Sequence, residues 1–132
     1  MWRIFLPFAS RIILYYVIGT SFIVQADGIY DYTITLKSAS IHGETVISEF
    51  SVDNRSEEAL HIGQFNVEAF DSEGNTLTWQ TCGTTLEGWV PANSKVDGNV
   101  CWTGVSKEAT RVYVKYHHSA FWTNSGTWYV NK

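Results

Sequence analysis

Seven short stretches of this chain alternate apolar and polar side chains with a period of two, and this pattern limits the chain to a β-rich fold. Residues 30–36, YDYTITL, set Tyr30, Tyr32, Ile34 and Leu36 against Asp31, Thr33 and Thr35. Residues 45–53, TVISEFSVD, put Val46, Phe50 and Val52 on one side. Residues 65–70, FNVEAF, point Phe65, Val67 and Ala69 inward, and residues 77–82 set Leu77 and Trp79 against Thr78 and Gln80. Val96, Gly98, Val100 and Trp102 share a side, with Cys101 opposite. Residues 111–116, RVYVKY, and 128–130, WYV, complete the set. Turn residues separate these runs: His42-Gly43-Glu44, then DSEGN at 71–75, then VPANS at 90–94. DSEGN resembles the start of a calcium loop but lacks the later acids and closing Glu, so it reads as a hairpin turn. Residues 106–110, SKEAT, have room for one helical turn, and 54–58, NRSEE, read as a polar connection.

The chain has two cysteines, Cys82 and Cys101, flanking a loop rich in Gly and small polar residues. In an exported chain such a pair forms a disulfide. A zinc site would need further Cys or His at close spacing, and none is near.

Export is expected from the first 26 residues. Arg3 and Arg11 precede an apolar run at 12–24, IILYYVIGTSFIV, which ends in Val24-Gln25-Ala26. The order basic, apolar, small is that of a signal peptide cleaved after Ala26. The sequence therefore predicts a hydrophobic signal helix over 1–26 and one mature domain over 27–132. The alternative is an uncleaved anchor, although the run is shorter than the roughly 20 residues that span a bilayer. The location expected is secreted, extracellular or periplasmic. Membrane contact is expected only through this segment, if cleavage fails.

Charge narrows the partners. Nine basic side chains face thirteen acidic ones, and losing Arg3 and Arg11 deepens the negative balance. Lys37, Lys95, Lys107, Arg111 and Lys115 are scattered, so no basic stripe for nucleic acid is present in the sequence.

Catalytic patterns are missing from the sequence. It has no Gly-X-Ser-X-Gly, no phosphate loop followed by Lys and no His-Glu-X-X-His. His117 and His118 are adjacent, so on a strand they point to opposite faces. The carboxylates Glu57, Glu58, Asp71 and Glu73 fall in expected turns. No enzyme activity, metal or cofactor is expected. Asn54-Arg55-Ser56 is a glycosylation acceptor only in a host that modifies such sites.

Aromatics are in excess. Trp79 and Trp102 sit at inward phase, whereas Trp89 and Trp122 fall in expected loops. Loop tryptophans either plug the ends of a β-domain or anchor a partner or a sugar. Trp89 and Trp122, with neighbouring His118 and Tyr129, form the candidate surface for a protein or glycan.

Four stretches together, FSVDNRSEEAL, FNVEAFDSEGNTL, VPANSKVDGNVCW and VYVKYHHSAFWTNSGTWYV, resemble the uncharacterised immunoglobulin-like domains of bacterial secreted proteins and lipoproteins. The resemblance covers residues 32–130. It implies a seven-stranded, antiparallel, immunoglobulin-like β-sandwich and a non-catalytic role at the cell surface, with an unknown protein or glycan as partner. It supplies no catalytic residues. The cysteines fall on the fourth and fifth expected strands, unlike the second and sixth of antibody domains, so antibody-like binding loops are not implied.

Overall fold

A computed structural model describes residues 15–119 and 125–132. Among these residues the chain is all strand and turn, with no helix. Its strands are β1 (Tyr15–Tyr16), β2 (Ser21–Ala26), β3 (Tyr30–His42), β4 (Thr45–Asn54), β5 (Leu60–Ile62) and β6 (Val67–Asp71). Then come β7 (Thr78–Gln80), β8 (Gly88–Val90), β9 (Ser94–Thr103), β10 (Arg111–His117) and β11 (Ser125–Asn131). They form a sheet ordered β1-β11-β10-β6, a second ordered β2-β3-β4-β9-β7, and a ribbon of β5 and β8.

The alternation predicted from the sequence decides which side chains close the core. Val24, Tyr32, Ile34, Leu36, Phe50 and Val52 from the five-stranded sheet are fully buried. They belong to one cluster with Val112, Val114, Tyr116 and Trp128 from the four-stranded sheet. Phe50 and Trp128 meet edge to face across the two layers, with ring centroids 5.8 Å apart. Burying such large apolar side chains stabilises by roughly 1.5–3 kcal/mol each before conformational entropy opposes it.

Cys82 and Cys101 are bridged, with Cα atoms 6.0 Å apart. The loop they close runs along the edge of β9: Leu86 N–H donates to Asn99 O, and Asn99 N–H to Thr84 O. Leu86 is buried there because Gly98 leaves space for it. A Cβ on Gly98 would lie 2.8 Å from the Leu86 Cα.

The hairpin turn after β6 is organised by Asp71, which is 1 % exposed. Its carboxylate accepts from the backbone N–H of Glu73 (2.9 Å), Asn75 (3.0 Å) and Ser106 (2.9 Å), and from Asn75 Nδ2 (3.0 Å). Burial pushes the carboxyl up, but these donors outweigh it and hold it at about 2, below the ordinary 3.8. A folded value below the unfolded one means the stabilisation is complete above about pH 4 and fades as pH falls toward 2. Asp71→Asn is expected to lose about 1–2 kcal/mol near neutral pH and to flatten the acid limb of a stability–pH profile. Urea unfolding at stepped pH checks both effects.

Several expectations change. Residues 15–26 form β1 and β2 in place of a signal helix, for a reason visible in the sequence. Ser21, Ile23 and Gln25 are exposed while Phe22, Val24 and Ala26 turn inward, a period of two inside the apolar run. Eleven strands are described where seven were expected. Trp89 lies in β8, where a loop was expected. Phe65 was expected inward but is 62 % exposed, because a turn delays the strand to Val67. In that turn Asn66 Oδ1 accepts from Gly63 N–H, and Asn66 N–H donates to Gly63 O. Residues 106–110 make a turn without helix. Asn54, expected in the polar connection, is the last residue of β4, and both it and Ser56 beyond it are buried. Asn54 Nδ2 donates to the carbonyls of Glu58, Val90 and Pro91, tying β4 to the chain after β8.

Candidate functional site

Trp89 is the most exposed large apolar side chain among the described residues, at 69 %. The ribbon that carries it explains why. Leu60, Ile62 and Val90 turn one face of β5 and β8 into the core, so the other face presents His61 and Trp89. The two are direct cross-strand partners, and their rings meet edge to face at 5.0 Å. A short ribbon anchored by three buried aliphatic residues thus holds an indole out in water.

His118 sits in a different setting, at the end of the two main sheets. Its Nδ1 lies 2.7 Å from the hydroxyl of Tyr32, and that hydroxyl also bonds the hydroxyl of Tyr116. Tyr32 belongs to β3 and Tyr116 to β10, so the pair links opposite sheets. With His118 in its Nε2–H tautomer, Tyr32 donates to Nδ1 and Tyr116 donates to Tyr32. Its Nε2 then faces the Asp27 carboxylate at 3.8 Å. The Tyr30 ring covers the imidazole at 5.0 Å. Burial lowers the His118 pKa, and Asp27 offsets part of that. Burial likewise raises Tyr32 and Tyr116, so both stay protonated. Both tyrosines are fully buried, which makes their hydroxyl pair a clamp between the layers, while His118 is partly buried and Asp27 exposed.

Tyr129 lies on the outer face of the four-stranded sheet. The Arg111 guanidinium sits 4.5 Å over its ring, and Arg111 Nε donates to Asn131 Oδ1 at 2.9 Å. Beside it Tyr113 is flanked by Phe70 at 5.2 Å and Tyr15 at 4.9 Å. These rings cover one another's faces, an arrangement that stabilises cross-strand neighbours. Lys115 shares this outer face with Glu68, its cross-strand partner; burial lowers the lysine pKa and Glu68 opposes the shift.

The candidate residues therefore occupy separate surroundings: Trp89 on His61, His118 among Tyr30, Tyr32, Tyr116 and Asp27, and Tyr129 under Arg111. Trp122 lies outside the described residues. His117 and His118 do diverge, the first against the exposed ring of Phe65 at 5.6 Å. Among the described residues no group of three His, Cys, Asp or Glu is placed to hold a metal. Sequence reasoning missed the Tyr32–Tyr116–His118 clamp. Two tyrosines at inward phase were its signal, because a buried phenol needs a partner.

No protein-family profile and no curated protein sequence matches the chain. Solved structures do share its fold. A secreted protein of Mycobacterium tuberculosis, MPT63, superposes with a TM-score of 0.63 at 10% identity, over 92% of this chain and 99% of that one. The yjhA protein of Bacillus subtilis gives 0.58 at 15% identity, over 83% and 84%. A lipoprotein candidate of the same organism, ycdA, gives 0.60 at 14% identity over 85% of this chain. The present chain spans 39% of ycdA.

Proposed function

We propose that this chain is an exported, non-catalytic interaction module of immunoglobulin-like architecture that meets a protein partner at the cell surface through Trp89. The observation that carries the reading is an indole left 69 % exposed on a ribbon whose other face is fully anchored. Exposed aromatics on rigid supports are the residues that dominate binding energy at interfaces.

Strand order supports the architecture. β3-β4-β9-β7 facing β11-β10-β6 follows the A-B-E-D and G-F-C order of a seven-stranded immunoglobulin sandwich, with β1, β2, β5 and β8 as additions. The disulfide supports export, since such bridges persist in oxidising compartments. The descriptions of MPT63 as secreted and ycdA as a lipoprotein candidate agree with that location. The buried clamp supports a scaffold role, because its titratable groups are spent on joining the sheets.

Trp89→Ala is expected to change stability by less than about 0.5 kcal/mol, as surface substitutions do. Retention on native cell envelopes is expected to fall tenfold or more, the loss of a binding hot spot. Equal retention of both proteins would refute the role of Trp89. A second reading, a glycan stacked on the indole, rests on the same exposure. Tryptophan fluorescence titrated against a glycan panel separates the two: a shift that Trp89→Ala removes favours sugar.

A further inference from the structure

We infer that residues 15–26 are part of the folded, mature protein, and that any leader removed from it ends before Tyr15. The inference is independent of what the module binds. It replaces the processing after Ala26 suggested by the basic-apolar-small order of the sequence.

Three separate fits carry it. The first is the strand itself. β2 pairs with β3 through six consecutive residues, from Ser21↔Thr35 to Ala26↔Tyr30. Val24 is fully buried and Ala26 is 9 % exposed, and both belong to the main core. Gly19 N–H, ahead of β2, donates to Leu36 O at 2.8 Å.

The second is the indole of Trp128. This side chain is fully buried, and its Nε1–H donates to Thr20 O at 2.8 Å. A chain starting at Asp27 would leave that donor without its protein acceptor, at the cost of a part-buried hydrogen bond.

The third is a hollow in the last strand. Gly126 sits mid-sheet, where a glycine weakens a strand unless another group approaches closely. Rings from the N-terminal segment do so. A Cβ at Gly126 would lie 3.0 Å from Phe22 and 3.2 Å from Tyr16. The C-terminal hairpin is thus shaped to receive side chains from the segment that cleavage would remove.

The scissile bond after Ala26 also sits at a hairpin tip. Asp27 and Gly28 both have positive φ, 56° and 70°, and Ile29 N–H returns to Ala26 O at 3.2 Å. Positive φ at both central residues is the turn that suits right-twisted strands, and it is filled by the favoured Asp-Gly pair within the three-residue connection between the paired Ala26 and Tyr30. The segment therefore has the turn chemistry of a domain hairpin. Within its apolar run Val24 and Ala26 are core residues and Phe22 packs against the core, while Val17, Ile18 and Ile23 are exposed.

Cleavage after Ala26 would still leave seven strands in immunoglobulin order, so experiment can decide between the two. The test uses the full chain exported by a bacterial host. Wild type is N-terminally sequenced, and its Tm is compared with that of Val24→Ala. This variant gives the peptidase an improved Ala-X-Ala site, so it does not block cleavage after Ala26. It also opens a cavity only if β2 is retained. The result expected is an N-terminus at or before Tyr15 and a Tm lowered by on the order of 5–10 °C. A folded product beginning at Asp27 would overturn the inference. So would an unchanged Tm in Val24→Ala.

Discussion

Replacing Cys82 and Cys101 together by alanine is expected to lower stability by about 3 kcal/mol, the chain-entropy value for a loop of this size. The bridge closes a sequence separation of 19 residues. Its removal acts first on the unfolded chain, which gains the freedom that the cross-link had denied it. The folded state suffers too. The tethered loop keeps its hydrogen bonds to Asn99 and places Leu86 over Gly98, so a freed loop loses hold of a buried side chain. Because Cys101 is itself 1 % exposed, alanine is the right replacement; serine would add a buried hydroxyl to the cost. Urea unfolding of the oxidised protein and the double variant reads the effect as a lower midpoint. Equal midpoints would mean that the loop is held by its other contacts alone.

Trp128→Ala is expected to have the larger effect, about 3–5 kcal/mol, the range for emptying a buried aromatic site. Trp128 lies where the two sheets meet. It contacts Phe50 edge to face at 5.8 Å and Tyr16 at 6.5 Å, and its N–H reaches Thr20 O. The truncation removes the contact between sheets and the tie to the segment ahead of β2 at once. Domains of ordinary stability hold about 5–15 kcal/mol, so the variant should be partly unfolded at physiological temperature or close to it. Trp128→Phe separates the two contributions, since it keeps a ring against Phe50 and drops the donor to Thr20. Its expected loss is smaller, about 1–2 kcal/mol. Circular dichroism melts of the two variants check the order. A Trp128→Ala protein melting within a few degrees of wild type would show that the core does not depend on this residue.

Much of the fold was legible because burial here follows a period of two. The inward set of β4, Val46, Phe50 and Val52, could be read directly, and so could Val96, Gly98, Val100 and Trp102 on β9 with Cys101 turned away. Composition is ambiguous where one signal has two physical causes. The run at 12–24 is apolar enough for a leader, yet residues 21–26 alternate as an edge strand does, and apolar content alone does not separate the two. Phe65 was misplaced because the Asn66–Gly63 turn is a side-chain bond to a backbone that no periodicity reveals. The same holds for Asn54, a buried polar residue at the end of β4 that satisfies three carbonyls from inside the fold.

The candidate site was less legible. Trp89 lies outside the core, but on a strand of a ribbon that the sequence reading did not foresee. β5 and β8 have three residues each, too few for alternation to declare itself. The grouping of His118 and Tyr129 with Trp122 rested on proximity in sequence, and Trp89 joined it only as a second expected loop aromatic. The sheets separate the first two: His118, just after β10, turns inward to Tyr32, and Tyr129 on β11 turns outward to Arg111. Long-range pairing of this kind depends on register between strands far apart in the chain, and only the folded structure fixes it.

Underlying these points is one claim, that the domain works outside the reducing interior of the cell as a scaffold locked by its cystine. The most direct measurement is a thiol count on the protein taken from its native location, alkylated as it is denatured. The account predicts that neither Cys82 nor Cys101 is labelled until a reductant is added. Two thiols labelled without reductant would contradict it.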